Sequence, residues 1–170
     1  ERYYKNNFGK KVKQIDIRRN KNPRWTGSRQ ALINIGIENA NGKYIALLDD
    51  DDLWLEKKLE LQIGEMENNY YKFSSTEGYF GLGKYSDKEQ YPLYNTEHFA
   101  KVLKKKYRYT KYLKRGNLPK VWTEDFLKIH NCVIKSSAVI EKDTLQMIGG
   151  FRGIPKMSDY DCWLSVIKVA

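Results

Sequence analysis

The chain has 170 residues and a formal net charge of +10, because 31 Lys and Arg oppose 21 Asp and Glu. This length can bury one hydrophobic core, and an aromatic content of 14% excludes a disordered basic tail. No stretch reaches the roughly 20 apolar residues of a membrane span. Two cysteines, Cys132 and Cys162, are too few for a disulfide framework, which favours a reducing, cytoplasmic compartment.

The positive charge is unevenly distributed along the chain. Residues 1–30 carry ten basic and two acidic residues, and residues 101–120 carry nine basic and no acidic ones. Between these blocks, residues 31–100 have six basic and thirteen acidic residues. The acidic block contains four consecutive aspartates, Asp49–Asp52. The charge is therefore partitioned into basic flanks around an acidic candidate site.

Four alternating elements are predicted around the aspartates. In chain order they are a strand at Lys11–Ile17, a helix that begins at Ser28 and ends at Asn41-Gly42, a buried strand at Lys43–Leu48 and a helix at Leu55–Asn68. This order favours an α/β domain with a parallel sheet. Such sheets bind ligands just beyond the carboxyl ends of their strands, where Asp49–Asp52 follows its strand.

The second half of the chain has a less regular pattern. We predict helices at Thr96–Tyr107, at Glu141–Ile148 and at Ser158–Val169, and a buried strand at Asn131–Ser136. The first helix is expected to continue, or to be followed by a second one, at Lys111–Arg115. The Gly- and aromatic-rich stretch Gly78–Tyr85 fits either a strand or an exposed loop. Residues 70–130 are therefore expected to form a variable region within the domain.

The aspartate run has two interpretations. Adjacent carboxylates raise each other's pKa and are unfavourable unless a cation or a basic partner offsets them. Asp49 and Asp51 form a D-x-D pair, whose hard oxygens suit Mg²⁺ or Mn²⁺ together with substrate phosphates. The alternative is an acidic turn that caps the following helix. The apolar strand before the run and Leu53-Trp54 after it favour the metal–phosphate interpretation.

Two blocks of residues carry a family resemblance. The first is Asn34–Trp54 (NIGIENANGKYIALLDDDDLW), followed by Lys58-Leu59-Glu60 and Gln62. The second comprises Ser136-Ser137, Ile148–Phe151 (IGGF) and Asp159–Leu164 (DYDCWL). In order and separation these blocks resemble glycosyltransferase family 2, and they cover roughly residues 27–69 and 131–166.

The resemblance implies the GT-A fold, a Rossmann-like, mostly parallel sheet flanked by helices. Asp49, Asp50 and Asp51 would lie at the diphosphate of a nucleotide-sugar donor, most often a UDP-sugar in this family. Asp49 and Asp51 would hold Mn²⁺ or Mg²⁺, which stabilises the leaving nucleoside diphosphate as a Lewis acid. Asp159 would be the general base of an inverting transfer and take the proton of the acceptor hydroxyl.

An acceptor side is implied as well. Gly149 and Gly150 would let the backbone turn tightly beside the acceptor, and Phe151 would anchor that turn. Trp163 would be a core residue or, less favoured, a platform for a sugar. Residues 70–130 would form the variable acceptor-side region, and the acceptor would be a glycan, a lipid-linked molecule or a protein.

Three departures from the family pattern bear on the site. Ser158 stands where the family has Glu, and Ile33 stands where it commonly has Arg, a role that Arg29 could fill. The family's first strand–helix–strand unit, with its nucleotide-holding acidic turn, has no counterpart in the sequence. Residues 1–170 are therefore expected to form a single, N-terminally truncated GT-A domain that lacks its first βαβ unit.

Two other features have competing interpretations. Thr123-Glu124-Asp125 spells the base motif of processive relatives. It precedes Ser136-Ser137 and Ile148–Phe151, whereas Asp159 follows both as the family order requires, so Asp159 is favoured over Asp125 as the base. The clusters Lys104–Lys106 and Lys111–Arg115 fit a solvated face. Their functional interpretations are peripheral contact with an anionic membrane, a phosphate-bearing acceptor or nucleic acid.

The sequence thus predicts a metal-dependent, inverting glycosyltransferase domain. A catalytically degenerate relative is one alternative, because Ser158 and the missing unit weaken the site. A basic nucleic-acid-binding module is another, but aspartates at the predicted ligand site repel phosphates without a metal, so no specific nucleic-acid partner is expected. A nucleotidyltransferase is less favoured because no Gly-rich phosphate loop occurs near the start of the sequence.

Overall fold

The computed structural model describes residues 29–170, and the strand predicted at Lys11–Ile17 and the cap at Ser28 lie outside the described residues. The helices are α1 (Arg29–Asn39), α2 (Lys58–Asn69), α3 (Ala100–Tyr107), α4 (Glu124–Leu127), α5 (Lys142–Met147) and α6 (Ser158–Val166). The strands are β1 (Tyr44–Ala46), β2 (Phe73–Ser74) and β3 (Val139–Glu141). A π-helical turn at Tyr94–His98 precedes α3, and a 3₁₀ turn at Lys135–Ser137 precedes β3.

The three strands form one sheet in which β3 lies between β1 and β2. β3 is antiparallel to both neighbours, and its Ile140 pairs with Ile45 on one side and with Phe73 on the other. β1 and β2 therefore run in the same direction on opposite sides of β3. Residues 29–170 thus mix helices and strands as predicted, but their sheet is antiparallel where a mostly parallel one was expected. The parallel pairing of the GT-A fold stays a prediction.

The elements that flank the aspartates follow the sequence pattern closely. Ala31, Ile35 and Ile37 form the buried stripe of α1, and β1 alternates around buried Ile45. α2 begins three residues later than predicted, because Leu55 to Lys58 form a turn in which the Lys58 N–H donates to the Leu55 carbonyl at 3.0 Å.

Two segments predicted as regular elements are irregular. Asn131–Ser136 lies outside the sheet, and local bonds satisfy part of its backbone, since the Val133 N–H donates to Asn131 Oδ1 at 3.2 Å and Ser137 Oγ donates to the Ile134 carbonyl at 2.8 Å. Such side-chain bonds compete with strand pairing. The predicted continuation of α3 at Lys111–Arg115 is wrong. Thr110 Oγ1 donates to the carbonyl of Tyr107 at the end of α3, and Lys114 and Asn117 pair across a tight turn.

Trp163 on α6 lies at the centre of the core. Its side chain is completely buried, with Phe73 stacked at 5.5 Å between ring centroids and Phe151 edge-on at 5.8 Å. Burying an aromatic side chain of this size contributes on the order of 3 kcal/mol. The core therefore joins the sheet, α6 and the Gly149-Gly150 turn that leads into Phe151.

Candidate active site

The aspartate run begins where β1 leaves the sheet. The Leu47 N–H donates to the Ala138 carbonyl at 3.1 Å, and the Asp49 N–H donates to Ser136 Oγ at 3.0 Å. These bonds extend the contact between β1 and the β3 segment by three residues. Asp49 is consequently half-buried and fixed against the 3₁₀ turn at Lys135–Ser137.

Ser136 also fixes the far end of the aspartate run. The indole N–H of Trp54 donates to the Ser136 carbonyl at 2.7 Å, so the first aspartate of the run and a residue just after the run are both bonded to one serine. Between them, the Asp52 N–H donates to the Asp49 carbonyl at 3.3 Å and closes a turn. Asp50, Asp51 and Asp52 are exposed on this turn. The loop therefore presents three solvated carboxylates beside a fixed, half-buried one.

Asp49 has a basic partner that the sequence patterns did not indicate. Lys135 Nζ forms an ion pair and hydrogen bond with Asp49 Oδ1. Both side chains are partly exposed, at 31% for Lys135 and 38% for Asp49. The only sequence signal is a lysine directly before Ser136, within a segment that we predicted to be a buried strand.

The aspartates provide a sparse set of metal ligands. No group of three or more His, Cys, Asp or Glu side chains within residues 29–170 is arranged to hold a metal ion. Mg²⁺ commonly binds through one or two carboxylates, with water and substrate phosphates completing its shell. Asp49 and Asp51 fit this mode in ligand type, and they do not form an all-protein cage.

The Gly149-Gly150 turn is built by the end of α5. The Gly149 N–H donates to the Gln146 carbonyl at 3.0 Å and the Gly150 N–H to the Leu145 carbonyl at 2.8 Å, which is the Schellman pattern of helix termination. Both glycines have left-handed backbone, with φ of +77° and +73°. This conformation favours glycine, so the turn is specified by the two residues themselves.

Asn34 of α1 holds the residue that follows this turn. Its side-chain Nδ2 donates to the Phe151 carbonyl and its Oδ1 accepts from the Phe151 N–H, both at 2.8 Å. The amide thus satisfies both backbone groups of a residue 117 positions away. Asn34 belongs to the first resemblance block and Phe151 to the second, so these two hydrogen bonds connect the blocks. Its neighbour Ile33 packs against the core.

Asp159 lies in the first turn of α6 and is half-buried. Asn131 Nδ2 is 3.5 Å from Asp159 Oδ2, at the outer limit of a hydrogen bond. Burial and, to a smaller extent, the negative charge of Asp159 raise the pKa of Tyr94. Ser158, which replaces the family's Glu, accepts a hydrogen bond from Gln30 Nε2 at 2.8 Å.

One short segment connects the surroundings of the two aspartates. Asn131 contacts Asp159, and Lys135 contacts Asp49. An extended chain covers at most about 3.6 Å per residue, so the Cα atoms of Asn131 and Lys135 are no more than about 15 Å apart. The predicted metal ligand Asp49 and the predicted base Asp159 therefore contact the two ends of one short segment, Asn131 to Lys135.

Arg29, Phe151 and Trp163 are the remaining predicted site residues. Arg29 is exposed and, with Gln30, lines a shallow depression beside the loop Gly153–Pro155. Phe151 and Trp163 are buried, which leaves no ring face for a sugar in this conformation. Asp161 accepts a hydrogen bond from Arg152 Nε at 2.7 Å, which ties the loop after Phe151 to α6.

Asp125 occupies a different kind of position. It is exposed in the first turn of α4, whose N-cap Thr123 accepts from the Phe126 N–H at 3.3 Å. Its neighbour Glu124 pairs with Lys128 at 2.9 Å. Glu124 and Asp125 thus form the first turn of a short helix.

The basic clusters are exposed. Lys104–Lys106 lie in the last turn of α3, and Lys111, Lys114 and Arg115 follow in the loop. Tyr109 between them is 89% exposed. No helix of residues 29–170 has the length and apolarity required to cross a membrane.

Lys58 carries a buried ammonium in the first turn of α2. Its Nζ has no hydrogen-bond partner among the described residues and lies 4.4 Å from the centroid of the Trp54 ring. Burial lowers the pKa of Lys58 to about 8, from an ordinary value of 10.5. Gln62, one turn further along α2, also has a buried side-chain oxygen without a partner. Lys58 is therefore a weak point in the packing beneath the aspartate loop.

Substitution Lys58→Met should stabilise the protein by about 1 kcal/mol at pH 7, after discounting for partial exposure and the lost contact with Trp54. Because the folded-state pKa lies below the unfolded one, the unfolded chain binds more protons between pH 8 and 10.5. Native stability should therefore rise with pH in that window, and the variant should lose this rise. Urea unfolding from pH 7 to 10.5 measures both effects. The exposed neighbour gives the control, Lys57→Met, which should follow the native curve.

Comparisons with known proteins identify the family to which the chain belongs. The family model described as Glycosyl transferase family 2 matches residues 4–140, and the chain belongs to that family. The match includes the aspartate loop and Lys135, and it ends before α6 and Asp159. The predicted family is thus confirmed, whereas the role of Asp159 depends on the second resemblance block alone.

Individual relatives agree with this assignment. UDP-Glc:alpha-D-GlcNAc-diphosphoundecaprenol beta-1,3-glucosyltransferase WfgD of Escherichia coli is 31% identical over 136 residues, 79% of this chain and 42% of the relative. Proteins named uncharacterized glycosyltransferase from Rickettsia conorii and Rickettsia bellii are 39% and 46% identical over 97 and 69 residues. These matches cover 55% and 41% of this chain. The chain spans less than half the length of each of these relatives. No solved structure is a significant match.

Proposed function

We propose that the protein is an inverting, metal-dependent glycosyltransferase that moves a sugar from a UDP-sugar to an acceptor hydroxyl. The observation that carries this proposal is that Ser136 bonds the aspartate loop at two points, Asp49 and Trp54, just beyond the end of β1. The chain belongs to glycosyl transferase family 2, which gives this loop its expected chemistry. That anchorage fixes Asp49 while it leaves Asp51 exposed to a ligand. We further propose that the chain has the GT-A fold, whose mostly parallel sheet the antiparallel strands of residues 29–170 would join.

Asp49 and Asp51 would hold Mn²⁺ or Mg²⁺ against the donor diphosphate. The cation would supply Lewis-acid stabilisation of the leaving group. The backbone bond from Asp49 to Ser136 keeps this carboxylate in place, so less reorganisation is needed when the donor binds. Asp50 adds a further negative charge close to the cation, and Arg29 would add a positive charge at the edge of the donor site.

Asp159 would act as the general base. It takes the proton of the acceptor hydroxyl as the oxygen forms a bond to the anomeric carbon. The bond from that carbon to the diphosphate breaks, and the nucleoside diphosphate leaves with the electron pair. The weak contact with Asn131 leaves Asp159 lone pairs for the acceptor hydroxyl. The Gly149-Gly150 turn and the segment after it would border the acceptor.

The acceptor is proposed to be a lipid-linked glycan diphosphate. The Escherichia coli relative is named for transfer of glucose from UDP-Glc to a GlcNAc-diphosphoundecaprenol acceptor, which sets the chemical class to test first. The exposed basic clusters at Lys104–Lys106 and Lys111–Arg115 carry charge that an anionic bilayer or a lipid diphosphate would attract. Peripheral membrane contact is therefore part of this proposal.

Nucleotide binding is tested first by thermal unfolding with UDP, with and without Mn²⁺. At a hundredfold excess over Kd, a bound ligand adds about 2.7 kcal/mol and should raise Tm by about 5–10 °C. The shift should require Mn²⁺ and should be lost in Asp51→Asn. Absence of any Mn²⁺-dependent shift in the native protein would exclude a metal-dependent donor site.

Transfer is then measured from UDP-glucose to a lipid-linked GlcNAc diphosphate in anionic vesicles. Product formation supports the enzymatic proposal, and co-sedimentation with these vesicles should weaken as salt rises. Retained UDP binding without transfer to any tested acceptor would favour the catalytically degenerate alternative.

A further inference from the structure

Lys135 is a charged residue of the site to which the proposed mechanism gives no role. Its ammonium is bound to Asp49, the carboxylate proposed to hold the cation. A divalent cation on that oxygen and the lysine ammonium repel each other and compete for the same lone pairs. The repulsion therefore favours a state in which the ammonium leaves Asp49 once the cation has bound there.

The structure allows only the side chain of Lys135 to move easily. Its carbonyl accepts from the Ala138 N–H at 3.0 Å, and its neighbour Ser136 is bonded to both Asp49 and Trp54. The backbone is thus held within the 3₁₀ turn. The side chain is a flexible four-carbon stem with 31% exposure, so its ammonium can swing while its base stays beside the aspartate loop.

We propose that Lys135 is a second diphosphate-binding group that alternates between Asp49 and the donor. It pairs with Asp49 in the protein without substrate, and it contacts a diphosphate oxygen once the cation has taken Asp49. This inference rests on the proposed function. It adds a positive charge at the point where the leaving group gains negative charge, where fixed cations contribute to catalysis.

If Lys135 alternates in this way, removing its charge should change two binding affinities in opposite directions. Removing the lysine charge frees Asp49, so the affinity for Mn²⁺ alone should rise by about threefold, as expected for a partly exposed ion pair. The same change removes a charge-assisted hydrogen bond to the nucleotide, so the affinity for UDP in the presence of Mn²⁺ should fall by about tenfold. A merely structural lysine would weaken both or neither.

The test is isothermal titration of the native protein, Lys135→Gln and Lys135→Arg with Mn²⁺ alone and with UDP plus Mn²⁺. We expect the opposite changes in the Gln variant and native-like UDP affinity in the Arg variant, which keeps a cation of similar reach. The matched control is Lys128→Gln, which removes an exposed lysine from an ion pair with Glu124 away from the aspartate loop. It should leave both affinities unchanged.

Unchanged UDP affinity in Lys135→Gln, while the native protein binds UDP with Mn²⁺, would overturn the role of Lys135 alone. A parallel fall in both affinities, with the Arg variant equally impaired, would assign Lys135 a structural role and also overturn it. Failure of the native protein to bind either UDP or Mn²⁺ would overturn this inference together with the proposed function. Tm values of the variants show whether each remains folded.

Discussion

Substitution Asp159→Asn should lower kcat for sugar transfer by on the order of 10²–10⁴-fold, the usual contribution of a general base. The amide keeps the shape of the carboxylate but cannot accept the hydroxyl proton. Asp159 lies in the first turn of α6, is half-buried and has only a 3.5 Å contact with Asn131, so its replacement should cause little structural disturbance. UDP affinity and Tm should stay close to the native values. Single-turnover transfer and UDP titration measure these two properties separately.

The matched control is Asp125→Asn, because Asp125 also lies in the first turn of a helix and belongs to a motif that spells a base in processive relatives. Its transfer rate should stay within about twofold of native, as is usual for an exposed residue without a specific contact. The opposite pattern, in which Asp125→Asn stops transfer and Asp159→Asn does not, would show that the base assignment is wrong.

The positions of the candidate site residues could be predicted from the sequence only in part. An apolar strand that runs into Asp49 predicts a carboxylate at the end of the sheet, and the structure has β1 leading directly to it. The contact between Lys135 and Asp49 joins residues 86 positions apart, and that between Asn34 and Phe151 joins residues 117 apart. No local pattern encodes such pairs, because each side chain taken alone is compatible with many surroundings.

The fold shows the same division between local and long-range information. α1, α2, β1 and α6 have periodic apolar patterns and recognisable ends, and they were predictable. β3 has only three residues directly before α5, so its Val139 and Ile140 fit the start of that helix equally well. Its place between β1 and β2 depends on pairing across about 65 to 100 residues, which sequence period alone does not specify.

The segment from Asn131 to Ser136 shows why the missed features matter. It was predicted as an ordinary buried strand, whereas its side chains contact Asp159, Asp49 and the backbone of the aspartate loop. Because its backbone lies outside the sheet, the Ser136 carbonyl accepts from the Trp54 indole and not from a neighbouring strand. The irregular segment thus lies at the candidate site, where the residues that function requires commonly override the local structural preference.

Gly150→Ala should destabilise the protein by about 3 kcal/mol, the sum of left-handed backbone strain and disturbed hydrogen bonds. A Cβ at this position would lie 2.4 Å from Asn34 Oδ1, closer than non-bonded atoms approach. The Asn34 side chain would have to turn away, which breaks both of its 2.8 Å bonds to Phe151. Urea unfolding of the purified variant measures the loss.

Gly149→Ala separates the two causes, because it has the same left-handed backbone but a Cβ there would meet no atom within 4 Å. It should cost about 1 kcal/mol, from strain alone. In an Asn34→Ala background the clash is absent, so Gly150→Ala should then cost no more than Gly149→Ala does. Equal costs for the two glycine substitutions in the native background would show that Asn34 does not hold the turn. Asn34 and Gln30 both bond α1 to the segment that leads to Asp159, so that result would leave the Gln30 contact with Ser158 as the link from α1 to this segment.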